Sequence, residues 1–261
     1  MGQVVIQAAG SVNPVDISHP HPHIHMMEFE TPLVPATLIR RYKRFLADCR
    51  LADGTEITAH CANPGSMMGL AMPGTTVWLE PNDDPKKKLD FGWRLVEHTD
   101  GHFTGVDTSV PNRMLKAALE AREVPAVSEY ENVRAEVAYG KDSRIDFLLT
   151  GEGRTDLYLE VKSVTLSRHP GLVEFPDAVT ARGRKHMLEL AREVKRGHRA
   201  MVLFLVQRTD GAEMKLADDI DPDYADTLRK AYGLGVEVVA YACNISPKGV
   251  TLGRSLPVTL F

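Results

Sequence analysis

The sequence predicts an α/β (α+β) chain in two parts: a small closed β-barrel, then a mixed-sheet α/β domain. Three observations carry this. Residues 28–107 read as short alternating segments separated by turn signals. From Pro111 the apolar period becomes helical and then switches repeatedly between helix and strand. Residues 200–206, Ala-Met-Val-Leu-Phe-Leu-Val, form the unbroken apolar run of a strand buried on both faces. The implied division is a leader over 1–26, a barrel over 27–110 and an α/β domain over 111–261.

The leader contains His19-Pro20-His21-Pro22-His23-Ile24-His25, where prolines break any regular element, and it is expected to be disordered. Alternation over 44–51 predicts a strand, Asp53-Gly54 a hairpin turn, and 56–60 the return strand. Two further strands are expected at 75–79 and 93–97, after the turn Asn63-Pro64-Gly65. About five strands in so short a segment suggest a barrel of the oligonucleotide/oligosaccharide-binding (OB) type, with Phe45 in its core. In the second part a helix over 112–122, capped by Asn112, places Met114, Leu115, Ala118 and Leu119 on one stripe. Strands at 133–139, 145–150 and 157–161 follow. A helix over 178–196 then carries the stripe Met187, Leu190, Ala191 and Val194. The strand at 200–206, a helix at 222–232 and a strand at 236–241 complete the order α-β-β-β-α-β-α-β.

Bulk properties exclude some classes. No run of apolar residues is long enough to span a membrane, and the start lacks a secretion signal, so a cytoplasmic protein is expected. Three cysteines, Cys49, Cys61 and Cys243, form no metal-binding spacing, and reduced thiols are expected. The net charge is −4, but its distribution is uneven. Residues 177–199 hold seven basic and three acidic side chains, and residues 208–237 hold four and eight. A polyanion could dock on one face while the other stays acidic.

The chemistry concentrates in Asp146 and Glu160-Val161-Lys162. Strand alternation sends Glu160 and Lys162 to one face, and Asp146 lies on the preceding strand. Two carboxylates suit Mg²⁺ or Mn²⁺, and a lysine beside them can orient a water or neutralise phosphate charge. The arrangement resembles the PD-(D/E)xK nuclease superfamily. Glu136 is the expected third metal carboxylate, with Glu129, Glu120 and Glu123 as alternatives. On the next helix Arg182, Lys185 and Glu189 fall on the face opposite the apolar stripe, where Arg182 and Lys185 could grip phosphate. His186 lies at its border, either a ligand or a structural histidine. In the barrel, Arg40, Arg41, Lys43 and Arg44 surround Tyr42, and Lys86-Lys87-Lys88 forms a second cluster. Cations interleaved with aromatics serve phosphate contact and base stacking.

Several motifs are similar to the sugar fermentation stimulation protein A (SfsA) family. They are Arg40-Arg41-Tyr42-Lys43-Arg44-Phe45-Leu46-Ala47-Asp48, His60-Cys61-Ala62-Asn63-Pro64-Gly65-Ser66-Met67 and Ser143-Arg144-Ile145-Asp146-Phe147. Glu160-Val161-Lys162-Ser163-Val164-Thr165-Leu166, the Phe175-Pro176-Asp177 to Lys185-His186 segment and Leu256-Pro257-Val258-Thr259-Leu260 continue the likeness. It covers about residues 27–261; Pro64 departs from the family's usual Asn-Thr-Gly turn. The resemblance implies an OB-like barrel, a nuclease-like domain, binding to double- or single-stranded DNA with little sequence preference, and a link to sugar (maltose) metabolism. A metal-dependent nuclease, a DNA binder that does not cut and an RNA-binding protein are the competing expectations.

Overall fold

The computed structural model describes residues 5–6, 25–140 and 143–261. Two short strands, β1 (Val5–Ile6) and β2 (Met27–Glu28), precede the barrel. The histidine–proline tract up to Ile24 lies outside the described residues; His25 donates to Glu123 through its backbone N–H.

The barrel consists of β3 (Val34–Tyr42), β4 (Leu46–Leu51), β5 (Glu56–Cys61), β6 (Thr76–Pro81), β7 (Phe91–Glu97) and β8 (Phe103–Gly105). Their order is β5-β4-β3-β6-β7-β8, and a parallel pairing of β5 with β7 closes the sheet. Closure removes exposed strand edges. The β4–β5 turn forms where expected: Gly54 has φ 89°, and Asp53 accepts a hydrogen bond from the Thr55 N–H. Alternate residues point inward, so Leu38, Ala47, Cys49, Ala59, Cys61, Val77, Leu79 and Trp93 fill the interior. The three cysteines are buried and free.

The strand expected from residue 44 starts instead at Leu46, because Lys43 (φ 50°) and Arg44 (φ 64°) take left-handed conformations and turn the chain. Phe45 therefore sits on the turn, 45% exposed and stacked on His60, rather than in the core.

The second part comprises α1 (Val110–Glu120), β9 (Asn132–Tyr139), β10 (Ser143–Thr150), β11 (Leu157–Val164), β12 (Leu166–His169), β13 (Leu172–Phe175), α2 (Ala181–Lys195), β14 (Arg199–Val206), β15 (Glu213–Leu216), α3 (Pro222–Gly233), β16 (Glu237–Ser246), β17 (Gly249–Leu256) and β18 (Val258–Thr259). Seven strands form the main sheet in the order β2-β17-β16-β14-β11-β10-β9. β14 lies between the parallel strands β11 and β16, so both its edges are paired, and its two faces are covered by separate cores. Met201, Leu203 and Leu205 join the α1-side core, and Ala200, Val202 and Phe204 join the α2/α3-side core. Truncating one such leucine to alanine costs about 2–5 kcal/mol. A smaller sheet, β1-β18-β15-β13-β12, was not foreseen, because its strands are at most four residues long.

Two helix starts differ from expectation. α1 begins at Val110 with Pro111 in its first turn, and its N-cap is Ser109, not Asn112. α2 begins at Ala181 because the Thr180 hydroxyl accepts from the Gly183 N–H and ends the extended segment there.

The two parts are joined by direct bonds. The Ser66 hydroxyl contacts the Asp177 backbone oxygen and carboxylate, each at 3.0 Å, and Gly105 N–H donates to the Gln207 carbonyl at 2.9 Å. Among the described residues no helix is long and apolar enough to cross a membrane.

Candidate metal and nucleic-acid site

The centre of the site is a break in a β-ladder. β10 and β11 pair regularly from Leu149–Leu157 to Phe147–Leu159. One step further, the Asp146 side chain replaces the backbone partner: Oδ2 accepts the Val161 N–H at 2.7 Å. Its Oδ1 accepts from the Asn112 amide at 2.9 Å, so the residue expected to cap α1 instead anchors this aspartate. The strands part here, and Glu160 and Lys162 project toward α2 on the same side as Tyr158, which packs with the α2-side core.

Glu160 is 2% exposed. Its Oε1 receives Lys162 Nζ at 2.7 Å and also the Nδ1 of His186 from α2. The other imidazole nitrogen lies 3.4 Å from Arg182 Nε. Burial alone would push the Glu160 carboxyl upward, but the His186 hydrogen bond and the Lys162 charge outweigh it and hold the pKa below the ordinary value. Asp146 moves the other way. Burial, then the negative charge of Glu160, push it up to about 6 against the opposing Val161 N–H, Lys162 and Asn112. Two carboxyls with opposed shifts that feel one another's charge are characteristic of sites that handle protons or cations.

Beside this centre opens a cleft of about 590 Å³, lined by Glu136, Ala138, Ser143, Arg144, Arg182, Lys185 and His186. His186 links the two features, bonding Glu160 while forming part of the wall. Arg182 and Lys185 are exposed on the cleft, as a phosphate-gripping role requires. Arg144 joins them from β10, its guanidinium donating to the Glu136 carbonyl. Glu136 itself is exposed, at φ 54°, opposite the ladder break.

Glu189 departs from its expected solvated position: it is 1% exposed, with its carboxylate against Gly140. The helical stripe failed here because α2 is covered both by the sheet and by α3, and glycine at position 140 leaves room for a carboxyl group. His186 and Asn112 were assigned no firm role in the chemistry from sequence. A histidine and a glutamate three apart, on the helix following an E-x-K strand, are the signal that points to both His186 and Glu189.

Among the described residues no three His, Cys, Asp or Glu side chains gather closely enough to hold a divalent cation, so Glu136 does not complete a triad with Asp146 and Glu160. Glu160 Oε2, however, is buried with no hydrogen-bond partner. Two carboxylates with a spare oxygen fit Mg²⁺ or Mn²⁺, which retain waters and often take only one or two protein carboxylates.

On the barrel, Arg40 pairs with Asp48 at 2.8 Å and lies 4.9 Å from the Tyr42 ring centroid, while remaining 67% exposed at its side chain. Lys43 and Arg44 occupy the exposed turn. Arg41 is turned inward: its guanidinium donates to the carbonyls of Asn63 (2.8 Å), Gly65 (3.1 Å) and Arg44 (3.1 Å). Lys86, Lys87 and Lys88 are exposed on the β6–β7 loop. The latter two line a pocket of about 280 Å³ with His60, Phe91 and Arg94.

The chain matches two family models: the SfsA N-terminal OB domain over residues 39–106 and the sugar fermentation stimulation protein RE domain over residues 109–249. The sugar fermentation stimulation protein homolog of Ruegeria sp. (strain TM1040) is 67% identical over 231 residues, covering 88% of this chain and all of the relative. That of Ruegeria pomeroyi is 66% identical over 88% of this chain and all of the relative. The structure of Pyrococcus furiosus SfsA in complex with Ca²⁺ superposes with a TM-score of 0.79 at 25% identity, covering 89% of this chain and 97% of that one. An OB barrel ahead of a split-ladder sheet, matched by models of both halves and by full-length relatives, places the chain in the sugar fermentation stimulation protein (SfsA) family.

Proposed function

We propose that this protein is cytoplasmic, binds DNA with little sequence preference and carries a Mg²⁺- or Mn²⁺-dependent phosphodiester-cleaving site at Asp146, Glu160 and Lys162. One observation carries the reading: a buried carboxylate tied to a lysine and a histidine lies behind a cleft that the same histidine lines together with Arg144, Arg182 and Lys185. Acid inside and base outside suit a cation bridged to a phosphate. The Ca²⁺ in the P. furiosus relative supports cation binding by this fold.

Asp146 and Glu160 would hold the cation, which when bound lowers the pKa of water and polarises the phosphate. The Val161 N–H and Asn112 fix Asp146 in place. His186 and Lys162 keep Glu160 ionised, and Lys162 brings its ammonium group to where phosphate charge would build. Arg182 and Lys185 orient the strand along the cleft, while Arg40, Lys43 and Arg44 add phosphate contacts at the barrel.

A second reading, a DNA-binding regulator of sugar metabolism that does not cut, is favoured by the same salt bridges. Glu160 Oε1 is already bonded by both Lys162 and His186 without a metal.

Cleavage of single-stranded, duplex and branched DNA with Mg²⁺ or Mn²⁺ separates the two. We expect cleavage by the wild type and a loss of at least ~100-fold in Asp146→Ala and Glu160→Ala, with binding retained. No metal-dependent cleavage of any substrate removes the enzyme and leaves the binder; no DNA binding removes both.

A further inference from the structure

The pocket of about 280 Å³ on the barrel lies where β5 and β7 close the sheet, with His60 and Gly92 as paired residues of the two strands. Two rings line it, Phe91 from β7 and His60 from β5. Phe91 packs partly against the barrel core. His60 is exposed and is backed by Phe45, whose ring lies 6.3 Å away at an interplanar angle of 20°. Both rings are thus held in place while keeping surface toward the pocket.

Gly92 and Arg94 line it from the same strand. A Cβ added to Gly92 would meet the Arg94 Cζ and Nη2 at 3.1 Å. Gly92 has no left-handed φ, so what glycine supplies here is room for the guanidinium. Arg94 Nε donates to Glu80 at 2.6 Å and Nη1 to Asp107, and each carboxylate is only 5% exposed. With its charge answered twice, Arg94 offers the pocket a fixed N–H at Nη2 rather than a free cation. Lys87 and Lys88 differ. Both are exposed, and among the described residues neither forms an ion pair. Their loop is closed at its base by Asn82, whose N–H donates to the Asp90 carbonyl at 2.8 Å and whose amide donates to the Leu89 carbonyl at 2.9 Å.

Together these parts define a ligand. Two ring faces suit a flat aromatic group, a neutralised donor suits an acceptor on its edge, and two unanswered ammonium groups suit an attached anion. The volume is at the small end of ligand pockets, which run from about 300 Å³ upward, and suits a single base rather than a pair. In a duplex both faces of a base are covered by its neighbours, so only an unstacked nucleotide can lay one against a ring.

We infer that the barrel pocket binds an unpaired nucleotide of a DNA strand, its base against Phe91 and His60 and its phosphate at Lys87 and Lys88. The inference rests on the DNA-binding reading, not on cleavage, and makes single-stranded DNA the preferred form. Tyr42, which the sequence offers for base stacking, is taken up instead by Arg40 and Asp48.

Fluorescence anisotropy of the full chain tests it, in EDTA so that no metal-dependent cleavage intervenes. The probe is a labelled oligothymidine of about 10 nucleotides, within the span of one such barrel. The wild type should bind it at least about 10-fold more tightly than a duplex of the same length. Phe91→Leu and His60→Ala should each weaken the single strand by about 5–50-fold and leave the duplex unchanged. An abasic strand separates stacking from folding: the wild type and Phe91→Leu should bind it equally, whereas a misfolded variant would lose it too. Replacing Lys87 and Lys88 together with alanine should reduce the salt slope by about 1, and Phe91→Leu should not alter it. A duplex bound as tightly as the single strand, or a Phe91→Leu protein with wild-type affinity for oligothymidine, overturns the inference and leaves DNA binding intact. Tighter binding of the matching oligouridine, or displacement of the probe by micromolar thymidine monophosphate, overturns it in favour of RNA or a free nucleotide. Failure to bind any DNA removes this inference and the DNA reading together.

Discussion

The barrel turn and the α2 cleft both show arginine and lysine to solvent, but different groups stand behind those charges. At the turn, Arg40 is answered by Asp48 and Tyr42, Arg41 by three backbone carbonyls, and the acceptors named are all satisfied. At the cleft the cations stand in front of buried carboxyls with opposed pKa shifts and oxygens lacking partners. The first arrangement is complete without a ligand and can only lend electrostatic attraction. The second leaves buried oxygens without hydrogen-bond partners. Charge at a surface indicates what a protein attracts; unsatisfied polarity in its interior indicates what it is built to hold.

This contrast can be broken by experiment. The largest effect is expected at the surface. Replacing Arg40, Lys43 and Arg44 together with alanine should weaken DNA affinity for every sequence, and should flatten the slope of log K against log salt by about 2–3. An unchanged slope would take the barrel out of the interface and leave the cleft as the sole contact.

The next effect lies in the interior. Burial and the neighbouring Glu160 charge push the folded pKa of Asp146 up to about 6, above its ordinary value of 3.8, so its ionisation opposes folding. The penalty is absent below about pH 3, where both states are protonated, grows between the two pKa values, and is complete above about pH 7. Asp146→Asn cannot ionise. Its stability relative to the wild type should rise by up to about 3 kcal/mol between pH 4 and pH 8 in denaturant titrations. A difference independent of pH would show that Asp146 is not frustrated by Glu160.

The smallest effect separates Arg41 from its neighbours. Arg41→Ala should cost about 1–3 kcal/mol of stability, by leaving the Asn63 and Gly65 carbonyls without a donor, and should barely change the salt slope. A salt slope altered as much as by Arg44→Ala would show that its inward orientation does not persist when DNA is present.

Much of the fold was legible from local pattern. The Asp53-Gly54 turn, the three strands leading to Glu160 and the apolar β14 run all follow from rules of a few residues' range, and they appear within two or three residues of expectation. The short strands of the second sheet did not, since each is stabilised by partners distant in sequence, such as β15 against β13 and β18. The D-then-E-x-K spacing singled out Asp146, Glu160 and Lys162, which the structure brings to adjacent strands. Glu189 was misplaced on a solvated face because helical periodicity describes one covered side, and α2 has more than one.

By itself, then, the sequence determined which strands carry the acidic pair and lysine, because side-chain alternation and apolar period are properties of neighbouring residues. The tertiary structure decided how those groups are wired: that Asp146 takes a ladder N–H, that Asn112 supports it, that Arg41 braces a loop, and that His186 and Glu189 meet the sheet. Those outcomes depend on register between strands and on the rotation of a helix about its axis, quantities set by packing between segments far apart in the chain.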